Sequence, residues 1–308
     1  MRDSRSLLGL HSMGRAEIEA ILDRAEDLLP IVDGHQAAAV VASPAVFGLL
    51  FLEDSTRTRL SFETAVHRLG HRCVAMAASG SSASKGENLV DTARNVAAMG
   101  LEGLVVRCGR SGGAARVADA IDIPVVNAGD GRHEHPTQGL LDASALRSRL
   151  GSLVDRRVLV VGDIINSRVA RSNIHCLSTL GARVTLVGPP ELVPWQFASL
   201  ASNLTISHQL DPVLEQADAV IMLRIQRERA SSHAVASDYR AAYGLTKART
   251  DSLRHDVVVL HPGPANRGVE IDDAVLEDPR RSLVLDQVRR GVAVRMAILE
   301  RMLLPVSS

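Results

Sequence analysis

Residues 51–63 read FLEDSTRTRLSFE, and the segment STRTR at 55–59 joins a strand-like pattern to a helical one. The apolar run 46–52 ends just before it. Four apolar residues then follow with the i, i+3, i+4, i+7 spacing of a helix with one buried face: Phe62, Ala65, Val66 and Leu69. The start of such a helix presents backbone N–H groups and the positive end of its dipole. Three hydroxyls and two arginines there favour a site for a multiply charged oxyanion such as phosphate. Alone, the segment also fits an ordinary helix start capped by Ser or Thr.

The composition is that of a globular protein with no net charge at pH 7. At 308 residues it suits two domains of about 150 residues each. Aromatic residues make up only 2%, which argues against a protein that stacks nucleic-acid bases on aromatic side chains. Lys+Arg and Asp+Glu number 35 each, so no overall basic field attracts nucleic acid. Any anion-binding role of the arginines therefore depends on several of them lying close together at one site.

The cysteines and the apolar segments bear on the compartment. Cys73, Cys108 and Cys176 are an odd number, widely spaced and without a C-x-x-C pair. This spacing argues against a disulfide framework or a zinc site and fits a reducing cytoplasm. The N-terminus lacks the apolar core of a signal peptide, and no segment approaches the roughly 20 apolar residues that cross a bilayer. The sequence predicts a soluble, cytoplasmic protein.

Strand-like and helical segments alternate along both halves of the chain. The strand-like runs are 46–52, 104–107, 124–127, 157–162, 183–187, 219–223 and 257–260. Apolar strands separated by helices predict an α/β fold of two doubly wound parallel-sheet domains joined by helices. Ligands of such sheets bind outside the carboxyl ends of the strands, so we expect the active site in the interdomain cleft. We place the first domain at 1–140, with a C-terminal helix 287–304 packing back onto it, and the second at 151–286.

Two polar segments of the first half leave alternatives open. Residues 78–86 are Ser-rich and contain Lys85, which fits either an idle surface loop or one that grips a ligand. His133, Glu134 and His135 stand just before Pro136, without H-E-x-x-H spacing or a second ligand cluster, so a metal is the weaker interpretation. His135 and the nearby Gln138 more naturally donate hydrogen bonds to a small polar ligand, although a capped helix with exposed histidines also fits.

The strand ends of the second half carry arginines. Gly162 follows a strand without the companion glycines of a dinucleotide fingerprint, which argues against a nicotinamide cofactor and a dehydrogenase. Arg168 and Arg171 follow it and are candidates for a carboxylate clamp, and Arg224 follows the strand that ends at Leu223. Their shared placement favours one anionic site between two domains.

The ordered set of motifs resembles the aspartate/ornithine carbamoyltransferase family, and within it the aspartate carbamoyltransferase catalytic chains. The motifs cover nearly the whole chain in family order and spacing: STRTR (55–59), SASKGE (82–87), HPTQ (135–138), GDIINSRVARSN (162–173), LRIQRER (223–229) and HPGPANRG (261–268). The resemblance implies transfer of a carbamoyl group from carbamoyl phosphate to L-aspartate, the committed step of de novo pyrimidine synthesis. It implies no cofactor and no metal, and a homotrimer with shared active sites. Regulatory or dihydroorotase partner chains stay open; nucleic acid and membrane are not expected partners.

The resemblance also implies site residues, position by position. Carbamoyl phosphate would be bound by Ser55, Thr56, Arg57, Thr58, Arg107, His135, Gln138, the backbone at Gly263 and Pro264, and Ser81 of a neighbouring chain. Aspartate would be bound by Lys85, also from the neighbouring chain, and by Arg168, Arg224 and Gln226. The catalytic residues among these would be Arg57, Lys85, Arg107 and His135.

The second substrate is chosen from the turns of the second half. Ornithine carbamoyltransferases resemble one another in an H-C-L-P turn, whereas this chain has HPGP at 261–264. A diamine would need carboxylates here, but the matching turns offer Arg168, Arg224 and Arg227, which suit a dicarboxylate. Asn166 stands where a histidine is common in the family, which bears on aspartate affinity. The alternatives are a carbamoyltransferase for another amine such as ornithine, or an inactive paralogue that serves as an assembly subunit.

Overall fold

The computed structural model describes residues 3–37, 40–77, 88–225 and 239–305. The chain forms two compact units. Unit 1 consists of Met1–Leu140 with Val288–Ser308, and unit 2 of Leu141–Gln287. Each unit has its own parallel sheet, so the predicted α/β class with two doubly wound parallel sheets is confirmed.

Unit 1 is built on a four-stranded sheet. Its strands are β1 (Val46–Phe51), β2 (Arg72–Ala77), β3 (Gly103–Cys108) and β4 (Val125–Asp130). Its helices are α1 (Arg15–Val32), α2 (Thr56–Arg68), α3 (Leu89–Ala97), α4 (Gly113–Ala118) and the first turns of α5 (Pro136–Leu150). The three strands β1, β3 and β4 are almost continuously buried, as expected for parallel strands covered on both faces.

Unit 2 is built on a five-stranded sheet. Its strands are β5 (Arg157–Val161), β6 (Arg183–Val187), β7 (Leu204–Ser207), β8 (Ala219–Met222) and β9 (Val258–Leu260). Its helices are α6 (Arg168–Thr179), α7 (Asp211–Leu214), α8 (Tyr239–Tyr243), α9 (Lys247–Asp251), α10 (Asp273–Leu276) and a 3₁₀ helix at Trp195–Leu200. The last helix, α11 (Val284–Met302), begins in unit 2 and continues in unit 1. Within the described ranges, no helix is both long and apolar enough to span a bilayer.

Both sheets reverse their strand order once. The order in unit 1 is β2-β1-β3-β4, so the chain steps from β1 to β2 on one side and then returns to β3 on the other. The order in unit 2 is β7-β6-β5-β8-β9, with the same reversal between β5 and β8. Such a reversal opens a crevice at the carboxyl ends of the two strands beside it, where open α/β sheets bind their ligands. The topology therefore marks one candidate ligand site in each unit.

A buried carboxylate links three helices within unit 2. Asp142 of α5 is fully buried and accepts hydrogen bonds from Asn173 Nδ2 of α6 and from Gln287 Nε2 of α11, both at 2.7 Å. The Gln287 side chain in turn accepts from the backbone N–H of His261 at 3.0 Å. Because every bond here lies inside the core, loss of the carboxylate leaves buried amide donors without an acceptor.

We expect Asp142→Ala to lower the free energy of unfolding of unit 2 by about 3 kcal/mol, the cost of orphaning buried polar partners. The single tryptophan, Trp195, lies in unit 2 and reports its unfolding by fluorescence in urea. Asp251→Ala is the matched control, because Asp251 is exposed and pairs with Lys247 within one helix turn. The control should lose less than about 1 kcal/mol. Equal losses in the two variants would contradict a structural role for Asp142.

Candidate active site

The candidate anion site of unit 1 lies at the N-terminus of α2. The chain leaves β1 at Phe51 and enters the helix at Thr56, with Ser55 at the N-cap position. The Ser55 side chain makes no capping hydrogen bond, and the first helical turn contains no acidic residue. The structure therefore does not support an ordinary Ser-capped helix start. The first-turn N–H groups and the helix dipole are instead available to an external anion.

The two arginines of this helix start have different environments. Arg59 Nε lies 2.8 Å from Glu63 Oε1, one turn further along the helix. Arg57 is exposed and makes no ion pair within the described part of the chain. Although the residue is exposed to solvent, partial desolvation by neighbouring protein atoms lowers the pKa of Arg57. The guanidinium nevertheless remains charged at neutral pH. Arg57 is thus the cation of this helix start that an anionic ligand can engage without breaking an ion pair.

Arg107 lies beside this helix start because of the sheet register. Phe51 of β1 pairs with Arg107 of β3, and the two strands flank the crevice of unit 1. The Arg107 side chain is only 14% exposed. Its Nη1 donates to the Ala128 carbonyl at 3.3 Å, and its Nε lies 3.9 Å from a Glu53 carboxylate oxygen. These contacts hold a buried cation at the carboxyl edge of the sheet, where it adds to the positive potential of the α2 N-terminus.

His135 and Gln138 lie at the start of α5, after β4. Both are buried, with 4% and 8% of their surface exposed. The turn that carries them is fixed by Asp130, whose carboxylate accepts from the backbone N–H groups of Glu134 at 3.1 Å and Gly112 at 2.8 Å. Since β4 is the neighbour of β3, this turn lies at the same sheet edge as Arg107. The structure thus brings the predicted Ser55–Thr58 segment, Arg107 and the His135 turn to one edge of unit 1.

The loops after β5 and β8 form the corresponding edge of unit 2. Gly162 has φ 135°, and a Cβ there would lie 3.0 Å from Leu223, so only glycine allows the two loops to approach this closely. Arg168 opens α6 after Ser167, whose hydroxyl caps the helix by accepting from Ala170 N at 3.0 Å. Arg224 lies two residues after the end of β8 and is half-buried. Arg168 and Arg224 therefore lie on the two strand ends that flank the crevice of unit 2.

Arg171, the second candidate for the carboxylate clamp, contacts the loop in front of α6. Its Nη1 donates to the Ser167 carbonyl at 3.3 Å, and its Nη2 donates to the Ile165 carbonyl at 3.2 Å. Its guanidinium also lies 5.1 Å from the centre of the Phe197 ring, within reach of a cation–π contact. Arg171 therefore stabilises the loop in front of α6.

Asn166 has a structural role in the same loop. Its side-chain amide donates to the Asp163 carboxylate at 2.9 and 3.0 Å, and its backbone N–H donates to the same group at 3.2 Å. Both residues are buried. At this position, where a histidine is common in the family, Asn166 instead holds the loop together by its hydrogen bonds to Asp163.

The turn after β9 is organised by a buried histidine. His261 Nδ1 accepts from Gly263 N at 2.8 Å, so its Nε2 carries the proton that faces Glu270 Oε1 at 3.3 Å. Asn266 donates to Glu270 at 3.1 Å and to the Ile225 carbonyl at 3.2 Å. This network connects the turn that contains Gly263 and Pro264 with the loop that carries Arg224.

Some assigned residues lie outside the described residues, and some structural residues were not predicted. Ser81, Lys85 and Gln226 belong to the first group, as does Arg227. Asp130 and Glu270 belong to the second group, since each fixes a turn of the candidate site. The sequence signal for Glu270 is an acidic residue flanked by apolar ones, Val269-Glu270-Ile271, whereas Asp130 stands between two glycines and has no such signal. Buried carboxylates are held only where hydrogen bonds satisfy them, so such a position indicates a buried network.

Two family models match the chain and together cover most of it. Residues 5–148 match the description "Aspartate/ornithine carbamoyltransferase, carbamoyl-P binding domain". Residues 155–302 match "Aspartate/ornithine carbamoyltransferase, Asp/Orn binding domain".

Curated relatives and solved structures agree with these matches. The chain is 49% identical to the aspartate carbamoyltransferase catalytic subunit of Myxococcus xanthus, over 96% of this chain and 98% of the relative. It is 48% identical to that of Salinispora arenicola, over 94% and 96%. It is similar to aspartate transcarbamoylase of Trypanosoma cruzi in complex with N-(phosphonacetyl)-L-aspartic acid, with TM-score 0.86, 29% identity and coverage of 96% and 95%. The catalytic subunit of the M. Jannaschii enzyme gives TM-score 0.85, 30% identity and 97% coverage of both chains.

Proposed function

The chain belongs to the aspartate/ornithine carbamoyltransferase family, and we propose that it transfers the carbamoyl group of carbamoyl phosphate to the α-amine of L-aspartate. The products are N-carbamoyl-L-aspartate and phosphate. This reaction is the committed step of pyrimidine synthesis. The observation that carries the proposal is the pair of cationic strand ends, one at the crevice of each sheet. One receives a phosphate and the other receives a dicarboxylate.

Unit 1 is assigned to carbamoyl phosphate. The uncapped N-terminus of α2 supplies backbone donors, and the side chains of Ser55, Thr56 and Thr58 supply hydroxyl donors. Arg57 of α2 and Arg107 of β3 add two positive charges at this edge of the sheet. Charge-assisted hydrogen bonds of this kind are roughly twice as strong as neutral ones. As the phosphate leaves and its charge grows, these donors stabilise the transition state more than the bound substrate.

The carbamoyl group is assigned to His135 and Gln138, with the backbone at Gly263 and Pro264 as further contacts. His135 donates a hydrogen bond to the carbonyl oxygen, on which negative charge develops when the amine attacks. A buried donor with a fixed backbone is suited to this task, because it needs no reorganisation during the reaction. The new bond joins the aspartate nitrogen to the carbamoyl carbon, and the carbon–oxygen bond to phosphate breaks. The departing phosphate takes the proton that the amine loses.

Unit 2 is assigned to aspartate. Arg168 and Arg224, together with Gln226, bind its two carboxylates, and the positive strand ends disfavour the second amine of ornithine. Holding two small reactants together can contribute about 7–11 kcal/mol of the barrier, so no covalent intermediate is required. The three cysteines are free thiols, which fits the reducing cytoplasm that we propose as the compartment.

Calorimetric titration with N-(phosphonacetyl)-L-aspartic acid tests this assignment. The compound combines a phosphonate with two carboxylates, so it should bind one site per chain and compete with carbamoyl phosphate. The dissociation constant should rise by roughly 30-fold or more when either Arg57 or Arg224 is replaced by alanine. A wild-type chain that binds phosphate but not this compound would contradict the assignment of unit 2.

We expect Arg224→Ala to lower kcat/KM for aspartate by roughly 30- to 160-fold, or about 2–3 kcal/mol, the value of a hydrogen bond to a charged group. Binding of carbamoyl phosphate to the free enzyme should stay within about twofold, because Arg224 belongs to unit 2. Arg183→Ala is the matched control, since Arg183 is exposed and pairs only with Asp155 among the described residues. Steady-state kinetics with varied aspartate measures both variants. A normal KM and kcat for Arg224→Ala would contradict the assignment of Arg224 to the aspartate site.

We also propose a homotrimer in which Ser81 and Lys85 complete the site of a neighbouring chain. The family resemblance of the SASKGE motif supports this part of the proposal. Chains with Arg57→Ala and chains with Lys85→Ala are each expected to be inactive, but mixed trimers contain some sites with both residues intact. Unfolding and refolding the two variants together should restore part of the activity. No recovery in trimers whose mixing is verified by mass spectrometry would contradict shared sites.

A further inference from the structure

Two histidines and a carboxylate meet on the surface of unit 1, beside the turn that carries His135. One ligand atom each of His11, His133 and Glu134 lies within 4.8 Å of the other two. His11 comes from the N-terminal segment, 123 residues before Glu134 in the chain. We infer that this cluster binds a divalent transition-metal ion, with Zn²⁺ as the best match.

The donor set and its spacing suit zinc. Two imidazoles and one carboxylate are ligands that Zn²⁺ commonly takes, at about 2.0–2.2 Å and in tetrahedral geometry. Two donor atoms on such an ion are about 3.3 Å apart. His11 Nδ1 lies 3.2 Å from Glu134 Oε1. This pair is therefore spaced as two ligands of one ion are, and the ligand atom of His133 lies within 4.8 Å of both.

Buried groups behind the cluster hold its members in place. His133 Nδ1 lies 3.1 and 3.2 Å from the two carboxylate oxygens of the buried Asp130. A carboxylate behind a histidine orients its ring, as it does for histidines that bind metal ions. Glu134 is 2% exposed and accepts from Leu10 N at 2.9 Å. A side chain at residue 9 would collide with this carboxylate, so Gly9 provides the space that it occupies.

The outer side of the cluster is open to solvent. The side chains of His11 and His133 are 58% and 39% exposed, whereas Glu134 is buried beneath them. This arrangement gives a metal ion an entry path and leaves a fourth position for water. A bound ion would join the N-terminal segment to the turn that carries His135, and it should raise the melting temperature of the protein.

Zinc titration of the full-length chain, freed of metal by a chelator, tests the site. Calorimetry should show one Zn²⁺ bound per chain, and excess Mg²⁺ should not compete. His11→Ala and His133→Ala should each weaken Zn²⁺ binding at least tenfold, because each removes one of three protein ligands. His255→Ala removes an exposed histidine of unit 2 and should leave the affinity unchanged.

Cobalt provides a readout that does not depend on the variants. Co²⁺ added to the metal-free wild-type chain should give the intense visible absorption of tetrahedral coordination, and Zn²⁺ should abolish it. Circular dichroism and thermal unfolding verify that each alanine variant is folded. Two results would contradict the proposed zinc site. One is a wild-type chain that binds no Zn²⁺, and the other is folded His11→Ala and His133→Ala variants that bind Zn²⁺ as tightly as the wild type does.

Discussion

Arg57→Ala should lower kcat/KM for carbamoyl phosphate by about 10³-fold while the protein stays folded. Arg57 is exposed and has no ion pair among the described residues, so its removal leaves the fold intact. Its charge is assigned to the leaving phosphate, where negative charge grows in the transition state. Removal of a single preorganised donor from such a position costs about 10²–10³ in rate, and the loss of a full positive charge puts Arg57 at the upper end.

The neighbouring arginine provides the control for this prediction. Arg59 lies two residues further along α2 and is paired with Glu63 at 2.8 Å. Arg59→Ala removes the same charge from the same helix turn, and we expect a loss of less than about tenfold because an exposed ion pair of this type contributes little. Steady-state kinetics and circular dichroism of both variants measure the difference. Similar losses in the two variants would show that Arg57 acts through general charge and not through contact with phosphate.

His135→Ala should lower kcat by about 10²–10³-fold with little change in KM for carbamoyl phosphate. The hydrogen bond from His135 strengthens as the carbonyl oxygen becomes negative, so its loss affects the transition state more than the bound substrate. The backbone of its turn is held by Asp130, which the substitution leaves in place.

The kcat and KM values of this variant separate a catalytic from a structural role. His67→Ala is the control, because His67 is an exposed histidine on α2 of the same unit. We expect its kcat to be unchanged. A His135→Ala enzyme with normal kcat and a raised KM would show that His135 binds the substrate but does not stabilise the developing charge.

The interior strands of both sheets could be predicted from the sequence, and so could two of the four edge strands, β4 and β9. The run predicted at 46–52 is β1 at Val46–Phe51, and the one at 183–187 is β6. Neither β2 nor β7 was predicted, and both are edge strands. Residues of β2 such as Val74 are exposed, and β7 is only four residues long. The apolar signal depends on burial on both faces, which β2 and β7 lack, whereas the edge strands β4 and β9 are buried throughout.

The candidate site was predictable where one short segment carries it. The helix start at Ser55–Thr58 combines strand end, hydroxyls and arginine within a few residues, and the structure shows that its N-cap side chain makes no capping bond. The backbone contacts of Arg171 were not predictable, because a sequence does not show which arginines donate to backbone carbonyls. The approach of His11 to Glu134 was not predictable, since it depends on tertiary packing across 123 residues.

The central claim is that the protein carbamoylates aspartate, and the most direct test is a product assay with two amines side by side. Purified wild-type chain is supplied with ¹³C-labelled carbamoyl phosphate and with either L-aspartate or L-ornithine, and the products are identified by NMR. We expect N-carbamoyl-L-aspartate and phosphate to form in equal amounts, with no citrulline above the enzyme-free rate. Formation of citrulline without carbamoyl-aspartate, or no product with either amine, would contradict the assignment.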